Sequence, residues 1–213
     1  MARPRQTLLT RQRIVDAASA LVDAEGLEAL SMRRLATELG VQGPSLYNHF
    51  PTKADILDAV ADGVISQVSL AAFGTADWAS ALRSWARSYH AVLVAHPNVV
   101  PVLAHGPGRR PAALAMADVV YGALIDAGWP PARATHIGAL MRYLVTGSAL
   151  GSFALGFDID PELYERYPHL QAAPRLAEHH VAVDEGAFEL GLDLLINGLL
   201  ASRREDRVDD VRA

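Results

Sequence analysis

The sequence predicts an all-α protein, with a small N-terminal unit of short helices followed by a larger helical domain. Apolar residues recur every three to four positions along almost the whole 213-residue chain. No segment shows the sustained apolar–polar alternation of a strand, and prolines and glycines divide the chain into helix-length segments. Because 51% of the residues are hydrophobic and 20% are charged, the chain can bury a sizeable core.

The first predicted helix begins after Thr10, whose side chain is suited to cap the free amides of a first turn. Leu9 and Ile14 flank that cap at the spacing of a hydrophobic staple, and Gly26 supplies a C-terminal stop. One apolar face between these limits is formed by Ile14, Ala17, Ala18, Leu21 and Val22.

Two shorter helices follow, and a tight turn joins them. Ser31 is the predicted N-cap of the first, and Gly40 ends it. The second starts at Pro44, because a proline is tolerated where the N–H has no helical partner, and it runs to about Phe50, before Pro51. A longer helix followed by such a pair is typical of a helix-turn-helix unit.

The rest of the chain continues as helices. Thr52 and Asp55 are placed to cap a fourth helix, whose apolar stripe extends to Val68. Beyond Gly74, the predicted helices are Trp78 to about Ala95, Pro111 to Ala127, Pro131 to about Gly156, Glu162 to His180 and Asp184 to Arg204. The expected organisation is an N-terminal arm at 1–9, a helix-turn-helix domain at 10–55, a connecting helix at 56–73 and a ligand-binding and dimerisation domain at 74–213.

The second helix of the pair presents a surface that suits a DNA major groove. Leu46 and Phe50 lie four residues apart and are expected to face the core. Gly43 and Pro44 keep bulky side chains out of the first turn, so that the backbone can approach base edges closely. The outward positions are Pro44, Ser45, Asn48 and His49.

Hydrogen-bonding residues in this region fall into two groups. Ser45 and Asn48 can exchange hydrogen bonds with base edges, whereas Tyr47 can reach a phosphate oxygen. Lys53 stands at the start of the next helix, where free backbone amides also attract phosphate. The alternative is a small helical hairpin with ordinary polar faces.

The net charge of -5 hides an asymmetry along the chain. Residues 1–55 carry seven basic and six acidic side chains, whereas residues 56–213 carry twelve basic and eighteen acidic ones. Four arginines precede the first acidic residue, Asp16, and they are Arg3, Arg5, Arg11 and Arg13. Such an N-terminus is suited to hold a DNA backbone, and the alternative is a solvated tail.

These helices resemble the DNA-binding domain of the tetracycline-repressor (TetR) family over about residues 10 to 70. The matching runs are Arg33–Val41, Pro44–Phe50 and Lys53–Leu57. Asn48 stands where the family's namesake has a large aromatic residue, so the operator sequence does not transfer. The resemblance implies base-edge contacts from Arg33, Gly43, Pro44 and Ser45, and contacts to the DNA backbone from Tyr47, His49 and Lys53.

Two helical seams in the C-terminal domain suit close packing. On the last helix the seam comprises Ala187, Gly191, Leu194, Gly198 and Ala201, and on the helix from Pro131 it comprises Leu140, Leu144, Gly147, Gly151 and Ala154. A helical glycine costs about 1 kcal/mol relative to alanine, which indicates a packing reason. Two such helices from each of two subunits would form a four-helix dimer interface, and the alternative is packing within one subunit.

The resemblance to the same family continues into this half, through Trp78, several glycines and the segment around Phe188. It implies a homodimer that releases its double-stranded DNA operator when a small-molecule effector enters the core of each C-terminal domain.

The residues themselves indicate a mostly apolar or aromatic effector. Trp85 and Tyr89 belong to an aromatic-rich helical stripe, and His105 lies in a nearby loop rich in glycine and proline, which together make a candidate ligand site. The positions that hold magnesium-tetracycline in the family's namesake lack the required side chains here, and they are Ser69, Trp85, Leu103 and Val120. The alternative is that the stripe is plain core.

Several functional classes are disfavoured. The absence of cysteine removes disulfides, zinc–thiolate sites and cysteine nucleophiles. The eight histidines lack the spacing of a helical zinc motif, and no segment has the order of a nucleophile elbow or a phosphate loop. We therefore expect no enzyme, no catalytic residue, no metal and no cofactor.

The N-terminus lacks the apolar stretch of a secretory signal, and the uncharged run from Tyr143 to Phe157 is too short to cross a bilayer. We expect a cytoplasmic protein with no membrane partner. The predicted function is a ligand-responsive DNA-binding transcriptional regulator, a repressor released from a palindromic operator. Two alternatives stay open: an effector-independent or activating DNA-binding regulator, and an α-helical ligand-binding protein or enzyme.

Overall fold

The computed structural model describes residues 8–103 and 108–212, with side chains up to Arg203. Helices are the regular elements of these residues and no strand occurs among them, which confirms the all-α class. The α-helices are α1 Arg11–Glu25, α2 Met32–Leu39, α3 Gly43–Tyr47, α4 Lys53–Ile65, α5 Trp78–Ala95, α6 Val100–Leu103, α7 Pro111–Asp126, α8 Pro131–Ala149, α9 Ala173–Glu178 and α10 His180–Arg212.

Helices α1, α2 and α4 begin at the predicted caps, and α1 and α2 end at the predicted glycines, whereas α3 begins at Gly43 rather than at Pro44. The Thr10 hydroxyl accepts the Arg13 amide, and the Ser31 hydroxyl accepts the Arg34 amide. Thr52 and Asp55 form a reciprocal capping box at the start of α4. Caps of this kind stabilise a helix by about 1 kcal/mol each. Gly40 ends α2 in the left-handed region at φ 66°, where a side chain would be strained.

Several helix limits differ from the predictions. The third helix ends at Tyr47 rather than about Phe50, and α4 ends at Ile65, although Val68 beyond it is buried. The predicted helix to about Gly156 ends at Ala149, because Gly147 and Gly151 weaken the helix there. The segment predicted as a helix over 162–180 contains only the 3-10 turn Pro161–Tyr164 and the short α9, and α10 begins at His180 rather than Asp184.

The chain divides into two compact units. The N-terminal unit comprises the residues up to Gln67 together with Ala95–Ala115, and the C-terminal unit comprises Val68–Val94 and the residues from Met116 onward. In the N-terminal unit, α1 packs on α2 and α4, and α2 packs on α3. The buried side chains there include the predicted apolar faces, among them Ile14, Ala18, Val22, Leu35, Leu46, Phe50, Ile56 and Val60.

In the C-terminal unit, α5 buries the predicted stripe of Leu82, Trp85, Tyr89 and Leu93. Trp78 at its start meets Trp129 edge to face, with ring centroids 5.6 Å apart. The last helix packs on α8, and its inward face contains Phe188, Leu192 and Ile196. Within the described residues, no helix has the length and hydropathy that a bilayer span requires.

Candidate DNA-binding surface and effector pocket

The short helix α3 and the turn that follows it direct two apolar side chains inward and leave several other positions exposed. Leu46 and Phe50 are fully buried, whereas 54% of Tyr47 is exposed. Pro44 and Asn48 are also exposed, and Ser45 and His49 are half-buried. A Cβ added at Gly43 would meet nothing within 4 Å, so no packing inside the chain requires glycine there. The space over this turn is open to an outside partner such as a DNA backbone.

Arg11 stabilises the C-terminal end of α3 from within the chain. Its guanidinium donates to the His49 carbonyl and lies over the Phe50 ring, with Cζ 4.0 Å from the centroid. Arg11 is thus engaged in the fold, although the sequence grouped it with the DNA-binding arginines. Arg3 and Arg5 of the predicted arm lie outside the described residues.

The two cationic candidates differ in their contacts. Arg33 is exposed on α2, while Lys53 is half-buried as the first residue of α4. The Lys53 ammonium donates to the Leu27 carbonyl at 3.0 Å, which ties the 3-10 turn Leu27–Ala29 to α4. Because an ammonium has three protons, this bond leaves donors for a phosphate.

A small cavity of about 40 Å³ lies in the C-terminal unit, and α5, α7 and α8 line it. It contains both predicted aromatic residues, Trp85 and Tyr89, whose ring centroids are 5.8 Å apart with the planes tilted by 45°. The third predicted ligand residue, His105, lies outside the described residues. Val120, which corresponds to a tetracycline-binding position of the family's namesake, also lines the cavity. The lining residues without a signal in the sequence are Met116, Ala117, Tyr121, Gly138 and Arg142.

Two features distinguish the wall of this cavity. The Trp85 indole Nε1 is buried and has no hydrogen-bond partner among the described residues, a situation that costs about 1–3 kcal/mol. Tyr121 lies directly against the backbone of Gly138, where an added Cβ would collide with the ring. The absence of a side chain at Gly138 therefore leaves room for the Tyr121 ring against α8.

The predicted seams are split between contacts inside the chain and open surface. Gly191 faces Leu144, since a Cβ added at Gly191 would lie 2.9 Å from Leu144 Cδ1. Leu140 is 46% exposed and Leu194 is 65% exposed. The remaining seam residues on the surface are Gly147, Gly151, Ala187, Gly198 and Ala201, whereas Ala154 is buried. Two helices thus leave neighbouring apolar and small residues without cover in the single chain.

Comparisons with known proteins identify this arrangement of helices. The family model for bacterial regulatory proteins of the tetR family matches residues 14–60, and the tetracyclin repressor-like C-terminal domain matches residues 71–203. Tetracycline repressor protein class C of Escherichia coli is 32% identical over 203 residues, which is 90% of each chain. The chain belongs to the TetR family. The predicted family is thereby confirmed, and the chain is a DNA-binding transcriptional regulator.

Further relatives and solved structures extend the comparison. An HTH-type transcriptional regulator of Saccharopolyspora erythraea is 37% identical over 141 residues, which is 66% of this chain and 60% of that protein. Apo ActR from Streptomyces coelicolor is 31% identical, with a TM-score of 0.75 over 94% of this chain and 99% of that chain. ActR is also known in complex with actinorhodin, a structure that is 30% identical with a TM-score of 0.72 over 92% of this chain and 99% of that chain.

In this TetR-family chain, polar pairs connect α5 to α10. Arg87 donates to both carboxylate oxygens of Glu189, at 2.8 and 2.6 Å, and Arg83 pairs with Asp193. The hydrogen bond from Arg87 lowers the pKa of the Glu189 carboxyl. The sequence did not indicate these pairs, because the partners are more than a hundred residues apart.

One turn further along α5, the imidazole of His90 stacks on Phe188. The ring centroids are 3.8 Å apart and the planes are parallel within 7°. Burial lowers the pKa of His90, against the opposite influence of Glu185 and then Glu189. The stack therefore favours the neutral imidazole.

Within the N-terminal unit, Asp62 of α4 caps the start of α7. Its carboxylate accepts the backbone amides of Ala112 at 2.8 Å and Ala113 at 3.3 Å. Helix α7 is also the helix whose later turns line the cavity.

Among the residues with described side chains, no three histidine, aspartate or glutamate residues come together in a way that could hold a metal ion.

Proposed function

We propose that this TetR-family regulator is a homodimeric repressor that binds a palindromic operator and leaves it when a small apolar or aromatic molecule enters the C-terminal cavity. The observation that carries the proposal is the cavity beside Trp85 and Tyr89, with its buried indole N–H that has no partner among the described residues. A ligand that supplies an acceptor there would gain a hydrogen bond that the chain alone lacks.

The contacts to DNA are assigned to α2, α3 and the start of α4. Base edges are read by Arg33, Gly43, Pro44, Ser45 and Asn48, and the backbone is held by Tyr47, His49 and Lys53. Support comes from Tyr47 and Asn48, which are exposed at the end of α3, while the buried Leu46 and Phe50 anchor this segment from beneath. The predicted domain boundaries after residues 9, 55 and 73 stay part of this proposal. The proposal also places the protein in the cytoplasm, where an operator is accessible.

The dimer is proposed to form through the exposed seam residues of α8 and α10. The exposed part of the seam includes Leu140 and Gly147 on α8, Gly151 just beyond the end of α8, and Leu194 and Gly198 on α10. In a dimer, two recognition helices read half-sites that are one helical turn apart. Ligand binding relieves repression if it favours an arrangement in which the two helices no longer match successive major grooves.

One observation favours the effector-independent alternative. The cavity of about 40 Å³ is far smaller than the roughly 300 Å³ or more of ordinary ligand pockets. A regulator that acts without an effector would have no need of a larger one. A screen of small molecules for loss of operator binding separates the two functions, because only the ligand-released repressor responds.

The DNA-binding roles are tested by gel shifts on the DNA upstream of the chain's own gene, repeated across salt concentrations. Wild type should bind tightly and weaken as salt rises. Tyr47→Ala should lower affinity for all sequences, whereas Ser45→Ala should change preference at particular bases. Ser84→Ala, at an exposed serine of α5, serves as the matched control. Wild-type binding without sequence preference at any salt concentration would contradict the proposed regulator. Equal losses of affinity for all DNA sequences in both variants would contradict the separate roles assigned to Tyr47 and Ser45.

A further inference from the structure

We propose that the effector is an aromatic compound with an anionic oxygen, such as an aromatic carboxylate or phenolate, bound at Trp85 and Arg142. This inference rests on the proposed ligand response and names the chemical class of ligand. It is carried by the polar groups that share the cavity.

The polar groups of the cavity are mainly donors. The indole N–H of Trp85 and the guanidinium of Arg142 can only donate, while the hydroxyls of Tyr89 and Tyr121 can do either. No carboxylate occurs among the lining residues that the structure describes. The rest of the wall is apolar, so the cavity complements a flat hydrophobic body that carries hydrogen-bond acceptors.

Trp85 requires an acceptor. It is 3% exposed, and its Nε1 is buried without a hydrogen-bond partner in the described part of the chain. An indole nitrogen cannot accept a hydrogen bond, so only an oxygen or nitrogen lone pair from a ligand or a water can satisfy it. A ligand oxygen at this position would remove the desolvation cost of the buried N–H.

Arg142 adds a positive charge to the same cavity. It follows Gly138 by four residues on α8, so both lie on the face of the helix that lines the cavity. A guanidinium stays charged at all physiological pH values, and its five N–H donors can serve contacts within the chain and a ligand together. Its planar fork matches a carboxylate or a phenolate oxygen, and charge-assisted hydrogen bonds are the stronger kind.

These groups discriminate between classes of ligand. A cationic amine would meet a like charge at Arg142 and no carboxylate in the described wall. A neutral aromatic amide satisfies Trp85 but gives Arg142 no opposite charge. An aromatic acid supplies an acceptor to Trp85 and an opposite charge to Arg142, while its ring packs on the apolar wall.

Entry of such a ring requires movement of the wall, because the cavity is only about 40 Å³. Tyr121 is the half-buried aromatic of that wall, and it rests on the backbone of Gly138. A bound ring can take part of the space that Tyr121 occupies.

The experiment uses the full-length chain and three matched series of compounds built on benzene, naphthalene and anthracene. Each ring system is offered as its carboxylate, its neutral carboxamide and its cationic aminomethyl derivative. Binding is measured by calorimetry, and release is measured as loss of an operator complex. The acid of the best-fitting ring should bind at least about tenfold more tightly than its amide or amine.

The variants assign the effect to individual groups. Arg142→Gln should lower affinity for the acid about tenfold and change affinity for the amide less than about twofold, while Arg142→Lys should retain part of the preference. Trp85→Phe should weaken acid and amide alike. Arg133→Gln, exposed on the same helix, and Trp129→Phe, equally buried with an unpartnered Nε1 but outside the cavity lining, are the controls.

An equal or tighter response to the amide or the amine would overturn the inference while leaving the ligand response intact. So would an Arg142→Gln variant that loses affinity for all three classes equally. If no compound of any charge class binds or releases the operator, the proposed ligand response fails together with the inference.

Discussion

The starts of the N-terminal helices and the pairing of α5 with α10 in the C-terminal unit depend on contacts of different range. In the N-terminal unit, the hydroxyls of Thr10, Ser31 and Thr52 each accept an amide three residues further along the chain. In the C-terminal unit, α5 is tied to α10 by the pairs Arg87–Glu189 and Arg83–Asp193. Local bonds are visible as sequence motifs, whereas distant pairs become visible only when the helices are packed.

This difference affects function. The proposed DNA-binding surface depends on a short helix that its neighbours hold in place, so roles can be proposed for its residues one by one. The proposed effector cavity depends on three helices from separate parts of the sequence, so its chemistry follows only from their packing. Substitutions should therefore separate local from long-range stabilisation.

The largest expected effect is loss of the support beneath α3. Leu46→Ala removes a fully buried side chain and should lower the free energy of unfolding by about 2–5 kcal/mol. Urea unfolding followed by circular dichroism measures it. Tyr47→Ala, at a position 54% exposed, is the neighbouring control and should leave stability within about 0.5 kcal/mol. Similar losses for both would contradict the assignment of inward and outward faces.

The next effect concerns the seam of α10. A Cβ added at Gly198 would meet nothing within 4 Å in the single chain, so Gly198→Leu should fold but obstruct a close partner helix. Light scattering should then show monomers or aggregates where wild type shows dimers. Gly63→Leu, equally open in the single chain but on α4, is the control. An intact Gly198→Leu dimer would refute this seam as the interface.

A smaller effect is expected at the start of α7. Asp62→Ala removes the acceptor for the Ala112 and Ala113 amides and should lower the free energy of unfolding by about 1 kcal/mol. Asp62→Asn keeps an acceptor oxygen and should lose less. Thermal unfolding compares the two, and an alanine variant as stable as wild type would show that solvent replaces the cap.

The smallest effect is a pH dependence at His90. Because burial against Phe188 lowers its pKa below the ordinary 6.5, the unfolded chain binds the proton more readily than the folded chain. The stability contributed by the neutral ring is present above pH 6.5 and declines as pH falls through that value. His90→Gln should therefore show a smaller loss of stability between pH 7 and pH 5 than wild type. An equal dependence of stability on pH in wild type and His90→Gln would contradict the lowered pKa of His90.

The predictable part of the molecule is the part with local physical causes. Glycine and capping residues predicted the starts of α1, α2 and α4 and the ends of α1 and α2, because each acts within a turn. The position of Leu46 and Phe50 followed from helical spacing alone. The match of the helix-turn-helix motif to the TetR family was equally visible.

The remaining part depends on tertiary contacts. In the sequence, Arg142 is only a charged residue directly before the uncharged run from Tyr143 to Phe157. Its place in the cavity follows only from the packing of α8 against α5 and α7. The engagement of Lys53 by the Leu27 carbonyl has no sequence signal either, since the two residues are 26 positions apart. The end of α8 at Ala149 was not predicted, because the apolar residues continue to about Gly156 although the glycines there weaken the helix.

The central claim is that occupancy of the cavity decides whether the operator is bound. The most direct measurement is a small-molecule screen for loss of operator binding, performed in parallel on wild type, Trp85→Phe and the control Trp129→Phe. At least one compound should release wild type and Trp129→Phe equally, while Trp85→Phe should bind the operator normally and need about tenfold more compound. Operator binding that no compound alters, or an identical response of all three proteins, would contradict the claim.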